Sequence, residues 1–179
     1  KSGQWWLDNG QRALSNNSVA YTDKPDAESF MREWLALVES KSGERGVFNR
    51  TASQKQAEKN GRRDAGYDFG TNPCSEIILR PYQFCNLSEV VVRATDTLDD
   101  LQRKVRLATI LGTIQSTYTH FPYLRKIWRD NTEAERLLGV SLTGIMDNLL
   151  LAQHNSMMLD ALRQTAIDTN AEWAVKLGI

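Results

Sequence analysis

The first apolar pattern along the chain is a short alternation over residues 17–22, which predicts a β-strand. The turn-forming sequence Asp-Lys-Pro-Asp follows it at residues 23–26. Beyond this turn, large apolar side chains recur at helical spacing at Phe30, Trp34, Leu37 and Val38. The pattern predicts a helix that begins after Pro25 and ends near Gly43.

The next stretch, residues 43–70, is polar and interrupted by glycine, so we predict a surface connection that contains one short helix over residues 51–59. Residues 75–80 and 87–93 are instead rich in side chains that favour strands. Pro81 and its polar neighbours mark the bend between them. Two further strands are therefore predicted.

The clearest helical pattern begins at Thr97, which has the spacing of a capping box with Asp100. Two adjoining apolar stripes follow and extend toward Pro122. The first comprises Leu101, Val105 and Ala108, and the second comprises Leu107, Leu111, Ile114 and Tyr118. Because the two stripes together cover a broad face, we predict a helix that is mostly buried.

Shorter patterns complete the chain. They predict a helix over residues 131–138, a strand over residues 140–143 and a last helix over residues 158–177. The order of elements indicates an α/β fold, although these strands are too few to form a closed or well-covered sheet. We therefore interpret residues 1–179 as part of one larger α/β domain, incomplete at both ends.

The charge composition argues against some classes of partner. Lys and Arg number 22, as do Asp and Glu, so no net charge favours a nucleic acid or an anionic membrane. The chain also has no long uncharged apolar stretch and no signal-like run near its start. We expect a soluble cytoplasmic protein that contacts neither nucleic acid nor membrane.

The spacing of the soft metal ligands predicts no metal centre. These ligands are Cys74, Cys85, His120 and His154, and their separations match no zinc-binding pattern. His120 is interpreted as a cation at the end of the long helix, where it would favour the helix dipole, and His154 is interpreted in the same way.

The segment with the most distinctive chemistry is Asn-Pro-Cys-Ser-Glu at residues 72–76. It places an amide, a thiol and a carboxylate on alternate residues, which share one face of an extended chain, so a single ligand could contact all three. In the structural alternative, Cys74 is a small buried side chain, Glu76 faces solvent and Asn72 begins a turn. The residues alone leave both readings open.

This segment and its continuation resemble one enzyme family. Residues 72–77, the spacing to Cys85 and the run Phe-Cys-Asn-Leu at residues 84–87 are similar to the active-site loop of adenosylcobalamin-dependent (class II) ribonucleotide reductases. The resemblance is strongest to the type that reduces ribonucleoside triphosphates, and it extends to residues 16–19, 33–50 and 139–144. The iron-dependent class I reductases share the core of the loop and stay an alternative.

The resemblance implies a fold, a set of roles and a cofactor. The fold is a ten-stranded α/β barrel, with a finger loop near residues 70–78. Cys74 would form the thiyl radical that removes the 3′ hydrogen of the ribose, Glu76 would be the general base on the 3′ hydroxyl, and Asn72 would hold the ribose hydroxyls. Cys85 would be one of two cysteines that deliver electrons. Adenosylcobalamin is the implied cofactor, and thioredoxin or a similar dithiol is the implied reductant.

A cysteine count limits what the chain does by itself. Cys74 and Cys85 are the only two cysteines, so the second electron-donating cysteine is absent from this sequence. The tail cysteines and the phosphate-binding loop of the family are not found either. The remainder of the same polypeptide is therefore an implied partner, and we expect the chain alone to be inactive. A non-catalytic α/β interaction module that keeps the loop as a relic is the alternative from another class.

Two other motifs receive structural interpretations. The run Gly-Val-Ser-Leu-Thr-Gly at residues 139–144 approaches a nucleophile elbow, but its second glycine comes one residue too late. We interpret it as a short strand, with a phosphate-binding turn as the alternative. The pair Arg62-Arg63 is interpreted as part of a solvated loop, because no aromatic residues interleave with it.

Overall fold

The computed structural model describes residues 5–11, 17–41, 45–59, 61–153 and 156–179. They fall into two compact units, Lys1–Pro81 and Tyr82–Ile179, which are described separately. The first unit contains α1 (Trp5–Asp8), β1 (Asn17–Tyr21), α2 (Ala27–Ser40), β2 (Arg45–Asn49), α3 (Arg50–Lys59), β3 (Gly70–Thr71) and β4 (Ile78–Leu79).

A parallel strand pair joined through α2 opens the first unit. β1 and β2 pair in parallel, with Val19 opposite Val47. α2 begins where the turn signal predicts, because the Asp26 carboxylate accepts a hydrogen bond of 2.9 Å from the backbone N–H of Ser29. Lys41 caps the other end in the left-handed conformation, at φ 48°. The predicted β1 and α2 are confirmed, while the predicted end at Gly43 lies outside the described residues.

The prediction for residues 43–70 is partly wrong. The helix within it is confirmed as α3, whose first turn is capped by a hydrogen bond of 2.9 Å from Ala52 N to Asn49 Oδ1. However, β2 was predicted as surface connection. Its five residues, Arg-Gly-Val-Phe-Asn, include a glycine and carry little alternation of their own. Pairing with β1 supplies the backbone hydrogen bonds that make it a strand.

The second unit is built on a second parallel pair. Its elements are β5 (Asn86–Val91), α4 (Leu98–Gln115), α5 (Lys126–Glu135), β6 (Leu138–Thr143), a 3₁₀ turn (Ile145–Asp147), α6 (Leu149–Ala152) and α7 (Ser156–Leu177). β5 pairs with β6, and α4 packs against both strands and against α7. The buried core comprises Val90, Val92, Leu101, Val105, Leu151 and Leu162.

The long helix α4 has the predicted start but not the predicted burial. The capping box is confirmed, because Thr97 Oγ1 accepts from Asp100 N and Asp100 Oδ2 accepts from Thr97 N. Leu107 and Leu111 of the second stripe are 61% and 62% exposed, so the prediction of a mostly buried helix is wrong. The helix also ends at Gln115, before His120, so the prediction that His120 lies at its end is wrong.

The remaining predictions for this unit are mostly confirmed. β6 and α7 lie where the sequence places a strand and a helix. The helix predicted over residues 131–138 is α5, which begins earlier than predicted, at Lys126. It also ends earlier, because Arg136 adopts the left-handed conformation at φ 42° and stops it. Gly144 follows β6 at φ 80°, and a Cβ there would lie 2.6 Å from Val92 O. That second glycine therefore serves a tight turn after the strand.

Within the described residues, the strands form three sheets of two strands each. The ten-stranded α/β barrel, and the interpretation of residues 1–179 as a central part of it, stay predictions. Across the same described ranges, no helix is both long and apolar enough to span a membrane.

A polar cluster follows β5 and holds three segments of the second unit together. Asp96 Oδ2 accepts hydrogen bonds from Lys104 Nζ at 2.5 Å and from Arg93 N at 2.8 Å. The buried Asn148 donates from Nδ2 to Arg93 O at 2.9 Å and to Asp96 O at 3.0 Å. The hydrogen bond from Lys104 is the main reason that the pKa of Asp96 is lowered from its ordinary value.

We expect this cluster to make the stability of the chain depend on pH in the acid range. A carboxyl group whose pKa is lowered by folding stabilises the folded state above its unfolded pKa of about 4, and this contribution is lost as the pH falls through the folded pKa. The midpoint of urea unfolding should therefore decrease below about pH 4, and Asp96→Asn should reduce that decrease. Asp160→Asn, at an exposed position of α7, is the control. An equal decrease in both variants would contradict the prediction.

Candidate active-site loop

The segment predicted to carry the chemistry is the connection of a small hairpin. β3 and β4 pair in antiparallel fashion, with Gly70 opposite Leu79 and Thr71 opposite Ile78. Residues 72–77 join the two strands. The reactive residue types of the motif therefore lie in the loop that connects the two strands.

Asn72 organises this loop through its backbone and its side chain. Its N–H donates to Ile77 O at 3.2 Å, and its side-chain Oδ1 accepts from Ile77 N at 3.0 Å. Its carbonyl oxygen accepts from Ser75 N at 3.0 Å. The structure thus gives the Asn72 carboxamide oxygen a role in closing the loop, and its predicted contact with ribose stays a prediction.

The tip of the loop is a β-turn with Pro73 and Cys74 at its two central positions. Proline suits the first of these because its ring fixes φ near the value that the turn requires. Ser75 follows in the left-handed conformation at φ 67°. Cys74 and Glu76 are both exposed. The expectation of an extended chain with a shared face is wrong, because the backbone turns between Asn72 and Ser75.

The structural alternative for this segment is partly wrong as well. It correctly places Asn72 at the start of a turn and Glu76 in solvent. It also predicts a buried thiol, whereas Cys74 is an exposed free thiol. An exposed thiol at a hairpin tip is accessible to a reactant outside the chain.

The strand that enters the hairpin is anchored by α3. Phe69, which directly precedes β3, is fully buried, and its carbonyl oxygen accepts a hydrogen bond of 2.8 Å from Arg50 Nε. Gln54, one turn along α3, donates from Nε2 to Tyr67 O at 3.2 Å. The hairpin therefore begins from a fixed point in the first unit.

Two arginines contact the aromatic residues at the base of the hairpin. The Arg63 guanidinium lies 4.9 Å from the ring centroid of Phe69, and that of Arg80 lies 4.0 Å from the ring centroid of Tyr67. Arg62 is exposed as predicted, but Arg63 is half-buried, so its assignment to a solvated loop is wrong. The aromatic residues at positions 67 and 69 were the sequence signal for these contacts.

Cys85 belongs to the second unit, directly before β5, and its side chain is half-buried. The residues on both sides of it are bound to the end of α5. The buried Gln83 donates from Nε2 to Glu135 Oε2 at 2.6 Å, and Asn86 N donates to Leu137 O at 2.8 Å. The Phe84 ring stacks on Trp128, with 4.7 Å between the ring centroids. The backbone that carries Cys85 is therefore held on both sides.

The predicted site residues thus occupy two separate settings. One loop of the first unit contains Asn72, Cys74 and Glu76. Cys85 lies in the second unit, directly before β5. Their chemical roles stay predictions. In the ranges that the structure describes, no group of three or more His, Cys, Asp or Glu side chains is arranged to hold a metal ion.

Comparisons with known proteins identify relatives of this chain. The sequence is 36% identical over 140 residues to an adenosylcobalamin-dependent ribonucleoside-triphosphate reductase of Lacticaseibacillus paracasei, a match that covers 76% of this chain. Proteins of the same name from Lactobacillus helveticus and Lactobacillus leichmannii are each 33% identical, over 148 and 151 residues, with 78% and 82% of this chain covered. No protein-family model and no solved structure matches the chain.

The matched region is a small part of these relatives. It covers 18% of the reductases from L. paracasei and L. helveticus and 20% of that from L. leichmannii, so the chain spans about a fifth of their length. The resemblance read from residues 72–77 is confirmed: this chain is related in sequence to a segment of the adenosylcobalamin-dependent ribonucleoside-triphosphate reductases.

Proposed function

We propose that this chain is a working segment of a cytoplasmic ribonucleotide reductase that converts ribonucleoside triphosphates to 2′-deoxyribonucleotides for DNA synthesis. The observation that carries this proposal is the exposed Cys74 thiol at the tip of the hairpin. A thiol exposed in the loop of a short hairpin can contribute to a substrate site to which other parts of a longer polypeptide contribute. The names of the relatives supply the reaction and the substrate class.

Adenosylcobalamin is the proposed cofactor, as the relatives' names indicate. When bound, it supplies the oxidising radical through homolysis of its cobalt–carbon bond. The exposed Cys74 thiol suits the role of hydrogen-atom donor to this radical, because a hydrogen atom can be removed from it without first opening the fold. We assign no residue of the described ranges to holding the cofactor, and we propose that the rest of the polypeptide holds it.

Cys74 is the proposed radical site. Once its S–H hydrogen atom has been removed, the sulfur takes the 3′ hydrogen atom of the ribose and becomes a thiol again. Glu76, exposed on the same loop, accepts the proton of the 3′ hydroxyl, and the 2′ hydroxyl leaves as water after it takes a proton from the electron-donating thiols. Asn72 positions the ribose hydroxyls in this proposal while its carboxamide oxygen keeps the loop closed.

Cys85 is the proposed donor of one of the two electrons. It forms a disulfide with a second cysteine from outside this chain, and the two thiols together supply the two electrons and two protons that reduce the ribose. Cys74 then returns a hydrogen atom to the 3′ carbon. The net change is the conversion of one ribonucleotide and one dithiol to one deoxyribonucleotide, one disulfide and one water. Thioredoxin or a similar dithiol is proposed to reduce the disulfide afterwards.

The other two readings are not favoured. The hypothesis of a non-catalytic interaction module does not explain why the relatives are named as reductases. A class I-like piece would depend on an iron centre, whereas the relatives are named for adenosylcobalamin.

The test compares the full-length polypeptide with residues 1–179 alone. With adenosylcobalamin, dithiothreitol and a ribonucleoside triphosphate, the full-length protein is expected to form the deoxyribonucleotide, and the segment is expected to form none, because it has only two cysteines. The product is measured by chromatography of radiolabelled nucleotide, with the cofactor omitted as the control. Product from the segment alone would contradict the need for a further cysteine. Absence of product from the full-length protein would contradict the proposed function.

A further inference from the structure

We infer that Arg63 is a positioning residue for Cys74, which rests on the proposed function of this loop. Arg63 lies outside the hairpin in sequence but contacts the chain on both sides of it. Its Nη1 donates a hydrogen bond of 2.9 Å to the carbonyl oxygen of Ile78, in β4. Its guanidinium also lies over the ring of Phe69, the residue directly before β3. One side chain therefore joins the entry of the hairpin to its exit.

The hairpin needs such a contact because its own pairing is short. β3 and β4 share only the pairs Gly70 with Leu79 and Thr71 with Ile78. A two-stranded hairpin of this size is marginal in water without further packing. The hydrogen bonds of Asn72 close the loop internally, but they do not orient the loop relative to the rest of the unit. Arg63 supplies that orientation, because it links the β4 side to the buried Phe69.

The geometry favours arginine over lysine at this position. A guanidinium is planar, so its face can lie over an aromatic ring while one of its N–H groups donates in the plane. A lysine ammonium can reach a carbonyl oxygen, but it offers no flat face to the ring. Arg63→Lys should therefore keep part of the contact, and Arg63→Gln should lose most of it.

Loss of the contact should lower the rate of the chemical step rather than the affinity for the nucleotide. Arg63 holds the backbone that carries Cys74, and a displacement of about 1 Å of a reacting group can cost about 10²-fold in rate. We expect Arg63→Gln to lower kcat by about 10- to 10²-fold and to change KM by less than about 2-fold. Arg63→Lys should fall between this variant and the wild type.

The experiment uses the full-length reductase and a readout that does not depend on turnover. Amide hydrogen exchange of residues 70–79 reports whether the hairpin opens, because the N–H groups of Ser75 and Ile77 are hydrogen-bonded within it. Exchange there should be about 10-fold faster in Arg63→Gln than in the wild type. Arg62→Gln is the matched control, since it removes the same charge at the exposed neighbouring position and should change neither exchange nor kcat.

Each outcome decides one part of the inference. Unchanged exchange in Arg63→Gln would overturn the contact across the hairpin, and faster exchange with unchanged kcat would overturn the positioning role. If the wild-type polypeptide shows no reductase activity, the proposed function fails, but faster exchange in Arg63→Gln still supports the structural contact. If Arg63→Gln does not fold, Arg63→Lys is compared with Arg62→Lys. Faster exchange confined to residues 70–79 then supports the contact, and equal exchange overturns it.

Discussion

Replacement of Cys74 by serine in the full-length form of the proposed reductase is expected to abolish turnover completely. The serine O–H bond is too strong to give up its hydrogen atom to the oxidising radical, so no radical reaches the ribose. Exchange of tritium between the 5′ position of the cofactor and solvent should disappear together with product formation. Added dithiol should not restore either, because the lost step precedes the reductant.

Cys85→Ser is the matched control, because it makes the same substitution at the other thiol of the chain. Here we expect tritium exchange to survive, since Cys74 is intact, while reduction stops after the 3′ hydrogen atom has been removed. The nucleotide should then decompose instead of forming the deoxyribonucleotide. Exchange that survives in Cys74→Ser and disappears in Cys85→Ser would reverse the two assignments.

Elements with a local signal in the sequence were the ones that could be predicted. The capping box of Thr97 and Asp100 fixes the start of α4 through contacts three residues apart. Asp26 does the same for α2 by accepting a hydrogen bond from Ser29. β2 lacks such a signal, because its backbone is satisfied by β1, more than twenty residues earlier in the chain. A strand that depends on a distant partner is not visible in a local pattern.

The error over α4 has a different physical cause. Its buried face includes Thr109 and Thr113, which a pattern of apolar residues assigns to the outside. Both hydroxyl groups are satisfied within the helix, because Thr109 Oγ1 donates to Val105 O and Thr113 Oγ1 donates to Thr109 O. Thr113 Oγ1 also accepts from Asn170 Nδ2 of α7 at 3.0 Å. A threonine with these partners can be buried, which leaves the leucines of the second stripe in solvent.

The candidate site residues were predicted from the loop sequence, and their roles stay predictions, but the shape of the loop was not predicted. The rule that alternate residues share a face assumes an extended backbone. Here the left-handed Ser75 and the hydrogen bond from Ile77 N to Asn72 Oδ1 bend the loop into a turn. The contact between Arg63 and Ile78 spans fifteen residues, so no short motif could reveal it. The reactive residue types could therefore be predicted from the loop sequence, whereas tertiary contacts determine how they are presented.

The position of Glu76 in the loop determines what it can do chemically. It directly follows the left-handed Ser75, and its side chain is exposed beside the tip that carries Cys74. A glutamine at this position has nearly the same shape and can still hydrogen-bond to a hydroxyl group, but it cannot accept a proton. The substitution therefore separates the radical step from the proton transfer.

Glu76→Gln in the full-length reductase is expected to retain tritium exchange at the 5′ position of the cofactor and to lose turnover by about 10²- to 10⁴-fold, as is usual when a general base is removed. Retained exchange is expected because Cys74, the proposed radical site, is intact, while loss of the 2′ hydroxyl should slow without a base on the 3′ oxygen. Both rates are measured on the same preparation. Glu58→Gln, at an exposed position of α3, is the control for the loss of one negative charge and should behave as the wild type. Turnover within a few fold of the wild type in Glu76→Gln would remove Glu76 from the proton transfer, and loss of exchange would show that it acts on the radical step instead.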